Sequence, residues 1–113
     1  MGLLEISVAA GEADPVLMLS GEADLTTSGE LSQSLTAQLS GGARHLTVDI
    51  SRLRFADSAS VRALVLAART LEDRGGALVL LRPQPAVART LELLGVDQLI
   101  TERAGTEPEP EGA

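Results

Sequence analysis

Asp57 and Ser58, inside the run FADSAS, are the residues of this chain best placed to do chemistry. Ahead of them Leu46, Val48 and Ile50 alternate with Thr47 and Asp49 in the period of a strand. From Val61 onward apolar residues return at intervals of three and four, the period of a helix. A strand that runs through a short loop into a helix opening at a serine holds that hydroxyl beside N–H groups with no internal partner, at the positive end of the helix dipole. Such a place suits a capping side chain, and it suits a phosphate group equally well. On these residues alone both readings of Ser58 stand.

Catalysis by Ser58 itself is excluded by spacing. A hydrolytic triad would need His45, the single histidine, within hydrogen-bond reach of the serine. His45 begins the strand whose far end leads to Ser58, and six residues of strand at about 3.3 Å each separate the two by roughly 20 Å. Asp24, Asp49 and Asp57 are too scattered for an oxygen-ligand metal loop. Asp49 reads as a carboxylate hydrogen-bonded at the sheet surface, and Asp24 and Asp57 as loop-capping residues. All nine cationic residues are arginine, so P-loop, Schiff-base and general-base lysines are absent, and Gly41-Gly42 and Gly75-Gly76 read as turns. There is no cysteine for thiol chemistry, disulfides or thiolate metal sites. No catalytic residue, metal site or cofactor is indicated, and Ser58 reads as a substrate for another protein's active site.

The net charge of −7 argues against direct nucleic-acid binding, which needs a basic face, and Phe55 as the lone aromatic leaves no stacking platform. The 113 residues suit one domain with an aliphatic core, 44% of them hydrophobic. No apolar run approaches the roughly 18 to 20 residues that span a bilayer. The N-terminal residues lack the pattern of a secretory signal, so a cytoplasmic location without membrane attachment is expected.

The elements that must position Ser58 follow from the chain in order. Leu3 to Ala10 and Val16 to Leu19, divided by the turn-forming run 11–15, read as a hairpin whose second strand has no polar face. Leu31, Leu35 and Leu39 mark a helix over 27–40, stopped by Gly41-Gly42. A strand over 44–51 and a loop over 52–57 come next, then a helix over 58–74 with Val61, Leu64, Val65, Ala68 and Leu71 on its core stripe. Its outer side carries Arg62, Leu66 and Arg69; the leucine between two arginines reads either as an ordinary exposed apolar residue or as a place for a partner. Ala77 to Leu81 reads as a strand covered on both faces. A third helix starts at the prolines near residue 85, with Val87, Leu91 and Leu94 buried and Gly95 closing it. Val96 to Ile100 reads as a short turn of helix, and residues 102–113, acidic and rich in proline and glycine, as a disordered tail. The domain thus spans 1–101.

This order gives an α/β fold, a mostly parallel mixed sheet of about four strands with an N-terminal hairpin and then βαβαβα, helices packed on the sheet. Functional loops of such a sheet gather beyond the carboxyl ends of the parallel strands. Three loops, 21–27, 52–60 and 82–86, are expected on that rim, making Asp24, Asp57 and Ser58 neighbours.

From about Leu17 to Glu102 the chain resembles the anti-sigma factor antagonist family of small STAS domains. The resemblance rests on LSGEADLTTSGELSQSL, on FADSASVRALVLAARTLEDRGGALVLLRP and on RPQPAVARTLELLGVDQLI, in order and with matching spacing. It implies that Ser58 is a regulatory phosphorylation site flanked by Asp24 and Asp57. The family pattern Asp-Ser-Ser-Gly becomes Asp57-Ser58-Ala59-Ser60 here, which removes a second hydroxyl at Ala59 and adds at Ser60 a side chain and a secondary candidate acceptor. The resemblance further implies a partner-switching protein of stress-response transcription regulation. Unmodified, it would bind an anti-sigma factor serine kinase through the rim and Arg62, Leu66 and Arg69; phosphorylated, it would release it, and a serine phosphatase would reverse the change. A monomer or weak dimer is expected. A scaffold STAS subunit of a larger stress-sensing or transport-associated complex, and a small-ligand or nucleotide-binding module, are the alternatives.

Overall fold

The computed structural model describes residues 3–9 and 14–102. Most of the hairpin turn, and the expected tail from Arg103 onward, lie outside the described residues. Strands β1 (Leu4–Ala9) and β2 (Val16–Ala23) are followed by α1 (Ser28–Ser40), β3 (His45–Ala56), α2 (Ser58–Asp73), β4 (Ala77–Leu81) and α3 (Pro85–Leu93). A short 3₁₀ turn, Asp97–Leu99, leads into β5 (Ile100–Glu102). The sheet order is β1-β2-β3-β4-β5; only β1 runs antiparallel to its neighbour. The mixed α/β architecture matches the expectation. The closing segment differs from it, since the expected turn of helix continues into a short fifth strand that takes in Glu102.

The in-register residues Leu17, Val48 and Leu80, with Leu46 beside Leu78, form the floor of the core. Two crossovers in the same direction, β2-α1-β3 and β3-α2-β4, place α1 and α2 on one face of the sheet, where they pack against each other. They close the core with Leu31, Leu35, Val61, Leu64, Ala68 and Leu71. The other face is more open. Ser7, Met18, Asp49 and Leu81 lie in line across it, none of them buried. Met18 on the supposedly non-polar strand is therefore exposed, and Val79 of β4 is only partly covered. Leu94, expected in the core, is exposed because α3 ends at Leu93 and Leu94 is its C-cap.

The largest departure from expectation is in β3. Residues 52–56, read as loop, continue the strand, and β2 runs with them to Ala23. Pairing passes from Met18↔Asp49 to Ser20↔Arg52, and from Gly21↔Leu53 to Glu22↔Phe55, so β3 holds one extra residue at each of two bulges. Each extra residue resets the alternation, and Leu53 and Ala56 still face the core after Ile50. Gly21, with φ of 105°, sits at the edge of this irregular region, where a Cβ would come within 2.2 Å of the Leu3 carbonyl oxygen.

A second correction follows from the first. β4 stops at Leu81 opposite Asp49, seven residues short of the end of β3, or about 20 Å of strand. The loop 82–86 is thus set back from the rim. Arg82 bonds Asp49 there at 3.0 Å, and the Gln84 side chain donates to the Ser51 carbonyl at 3.0 Å. α3 packs mainly against β3.

Candidate functional site

The ends of β2 and β3 carry the rim. Ala23 pairs with Ala56, and the Asp57 N–H donates to the Ala23 carbonyl at 3.0 Å, so the segments leading to Asp24 and Ser58 leave the sheet side by side. Asp57 is the N-cap of α2: its side chain accepts the Ser60 N–H at 2.9 Å. Ser58 is therefore the first residue inside the helix rather than its cap, and its side chain is exposed. Asp57 takes the N–H of the third helical residue, which leaves those of Ser58 and Ala59 facing the rim. Among the described residues the Ser58 hydroxyl has no hydrogen-bond partner.

Asp24 heads a tight turn, closed by the Thr27 N–H donating to the Asp24 carbonyl at 3.0 Å. Its carboxylate accepts the Thr26 hydroxyl at 2.6 Å and the Thr26 N–H at 2.9 Å. The Thr26 hydroxyl is the main cause that holds the Asp24 carboxyl below its ordinary value, against a smaller opposing effect of burial. Thr27, the N-cap of α1, is buried, and its hydroxyl accepts from the Asp24 N–H at 2.9 Å. Glu22 faces Arg54 at 3.3 Å across the same strand ends.

Ser60 meets the opposite fate to Ser58. Its side chain is 0% exposed and its Oγ has no hydrogen-bond partner. The secondary acceptor expected there is closed off by the core in the folded domain. His45 is exposed at the far end of a twelve-residue strand, so its separation from Ser58 is larger than the expected span. No group of three or more histidine or acidic side chains able to hold a metal occurs among the described residues. No helix among them is long and apolar enough to cross a membrane.

Arg62, Leu66 and Arg69 are exposed and succeed Ser58 at steps of four, four and three, so all four residues share one face of α2. Leu66 is 49% exposed because it leans into a shallow groove of about 210 Å³ between the helices, whose walls include Leu35 and Leu39 of α1 and Ala63 of α2. Two rim residues were not singled out from the sequence: Leu25, 75% exposed at the tip of the Asp24 turn, and Phe55, 49% exposed on β3. The signal available for Phe55 was its being the only aromatic residue of the chain.

A four-strand mixed sheet extended by a short fifth strand, helices on its face and a serine at the head of α2 define a STAS domain. The STAS family model described as "Mlab, STAS domain" matches residues 6–101, and the chain belongs to this family. Within it the chain belongs to the anti-sigma factor antagonists, a family of non-enzymatic regulators. BtrV of Bordetella bronchiseptica strain RB50, whose name places it among those antagonists, is 31% identical over 80 residues, covering 71% of this chain and 69% of BtrV. The fold also matches the crystal structure of an anti-sigma factor antagonist from Mycobacterium paratuberculosis, with TM-score 0.80, 24% identity and coverage of 89% and 86% of the two chains. Unphosphorylated SpoIIAA aligns with TM-score 0.78 and 20% identity over 90% of each chain. Its phosphorylated form, from Bacillus, aligns with TM-score 0.70 and 21% identity over 90% of this chain and 94% of that one.

Proposed function

We propose that this domain is a partner-switching antagonist that binds an anti-sigma factor serine kinase while Ser58 is unmodified and releases it once Ser58 is phosphorylated. The observation that carries this reading is the contrast among the rim hydroxyls. Thr26 and Thr27 are bonded and Ser60 is buried, whereas Ser58 is exposed and unpartnered at a helix N-terminus. The kinase supplies ATP and Mg²⁺; the γ-phosphoryl group passes to the Ser58 oxygen, the hydroxyl proton departs and ADP leaves. The product carries a charge of about −1.5 to −2 at pH 7. The N–H groups of Ser58 and Ala59 accommodate that charge on the domain's side, while Asp24 and Asp57 oppose it and a partner surface fitted to a neutral hydroxyl loses contact. A serine phosphatase restores the binding form by hydrolysing the ester to serine and inorganic phosphate. The cytoplasm, where ATP and sigma factors reside, is the compartment this cycle requires.

Binding of Ser58→Asp and Ser58→Ala to the cognate kinase, measured by calorimetry with intact-mass analysis after incubation with ATP, tests the reading. Ser58→Asp is expected to bind at least about tenfold more weakly than wild type, a loss of about 1.4 kcal/mol. Ser58→Ala is expected to bind and to gain no phosphate. Equal affinity of Ser58→Asp and wild type, or phosphate incorporation into Ser58→Ala, would falsify the assignment.

A further inference from the structure

We infer that Arg62 is the receptor for the phosphate at Ser58: once the serine is modified, the Arg62 guanidinium reaches back one helical turn and closes an ion pair with it on the outer face of α2. This rests on the partner-switching reading and adds to it the group that holds the modified state.

Both residues lie in α2, four positions apart, and both are exposed. Side chains at that spacing are neighbours on one face, with Cβ atoms about 5 to 6 Å apart. A long side chain in an α-helix leans toward the N-terminus and covers the turn before its own Cα, so the stem of Arg62 is directed over the turn that carries Ser58. An anion four residues ahead of a cation is also the better of the two orders, because each then sits favourably in the helix dipole. Nothing bulky stands between them: Ala59 carries only a methyl group, and Ser60 and Val61 are buried.

The surrounding charges leave this pairing to Arg62. Among the described residues Arg62 makes no hydrogen bond or ion pair, so its guanidinium is available. Arg54, at the end of β3, is held by Glu22 at 3.3 Å. Arg69 shares the face but follows Ser58 by eleven residues, about 16 Å along the helix axis. Asp57 and Asp24 accept from the Ser60 N–H and from Thr26, and they repel a phosphate equally whatever side chain stands at position 62. Phosphoserine brings about −1.5 to −2 charges and acceptor oxygens that a guanidinium can take two at a time. A neutral hydroxyl offers neither, so the pair belongs to the modified state alone. Phosphorylation then changes the outer face twice: it adds an anion, and it takes up the cation that Arg62 shows while Ser58 is unmodified.

The experiment is a phosphorus NMR titration of the full chain with phosphoserine placed at position 58 during synthesis, comparing wild type with Arg62→Gln, Arg62→Lys and Arg69→Gln. The second ionisation of a phosphoserine ordinarily falls near pH 6, at about 6. In wild type it is expected about 0.3 unit lower than in Arg62→Gln, the size of an exposed pair one turn apart. Arg62→Lys, which keeps the charge but not the planar fork, is expected between the two, and Arg69→Gln is expected to titrate as wild type does. The Arg62 Nε–H resonance is expected to move between the unmodified and the modified chain. Equal values in wild type and Arg62→Gln would overturn the inference, as would an Arg62 resonance that the phosphate leaves in place. So would a rise in Arg69→Gln as large as in Arg62→Gln, since the effect would then be a general field of the face and not a pair. Failure of the cognate kinase to phosphorylate Ser58 in the wild-type chain would instead overturn the partner-switching reading, and the titration, which needs no kinase, keeps the two failures apart.

Discussion

Ser58 and Ser60 stand two residues apart on one helix, and 3.6 residues per turn places them on nearly opposite sides. One hydroxyl therefore looks out from the rim and the other is enclosed beneath α2 with no hydrogen-bond partner. A buried unsatisfied hydroxyl costs about 1 to 3 kcal/mol, so Ser60→Ala is expected to raise stability by about 1 kcal/mol, read as a higher urea midpoint at unchanged slope. A lowered midpoint would mean that the hydroxyl contributes a bond after all. Asp49, on the open face of the sheet, gives a pH-dependent counterpart. Burial alone would raise its carboxyl, but hydrogen bonds from Ser51 and the nearby Arg82 guanidinium outweigh that and hold it below 3.8. A lowered folded value stabilises the domain above the unfolded value and is lost as pH falls through the folded one. The stability difference between wild type and Asp49→Asn should be full near neutral pH and shrink below about pH 4, and a difference that grew with acid would contradict this sign.

The elements were legible in the sequence where one period ran uninterrupted. The leucines of α1 and the stripe of α2 each follow a single repeat and the five residues of β4 form one unbroken apolar run, and their bounds fall within a residue or so of those expected. β3 broke the method for a physical reason. Its buried positions step by two from Leu46 to Ile50 and then by three to Leu53 and Ala56, because each bulge adds a residue. Steps of three belong to no strand pattern, so the second half read as loop and the loop at 82–86 was brought forward by about 20 Å of strand that it does not span. The Asp57-Ser58 junction survived that error because capping chemistry is local. Leu25 and Phe55 did not emerge, since exposure of a single apolar residue depends on which way a bulged strand and a turn are aimed. On α2, the outer stripe was legible but its setting was not: Leu66 is half covered by the groove against α1. Leu66→Glu is accordingly expected to cost about 1 kcal/mol of stability, half the burial of a leucine, and to weaken binding of the anti-sigma factor by about tenfold. Unfolding of the variant would assign Leu66 to the core, and unaltered affinity would remove the stripe from the interface.

At the scale of the whole molecule, the question is whether a phosphate at Ser58 acts on the fold or only on its surface. Placed at a helix N-terminus it gains about 0.3 to 1 kcal/mol from the dipole, and repulsion from Asp24 and Asp57 opposes a similar amount. The remainder is small beside the 5 to 15 kcal/mol that typically holds a domain of this size together. The field is also short-ranged: the Debye length of about 8 Å at physiological salt falls well short of the roughly 20 Å of strand between the rim and the Arg82 loop. The core beneath α2 is closed by Val61, Leu64 and Leu71, all buried, whereas Ser58 is exposed. The phosphorylated domain should therefore melt within about 5 °C of the unmodified one. Its amide spectrum should change in the Asp24 turn, at the end of β3 and in the first turn of α2, and stay fixed through β4 and α3. Shifts spreading across β4, or a melting point lowered by much more, would mean that the switch works by loosening the domain. Confinement of the change to the rim would mean that release is decided at the contact surface alone.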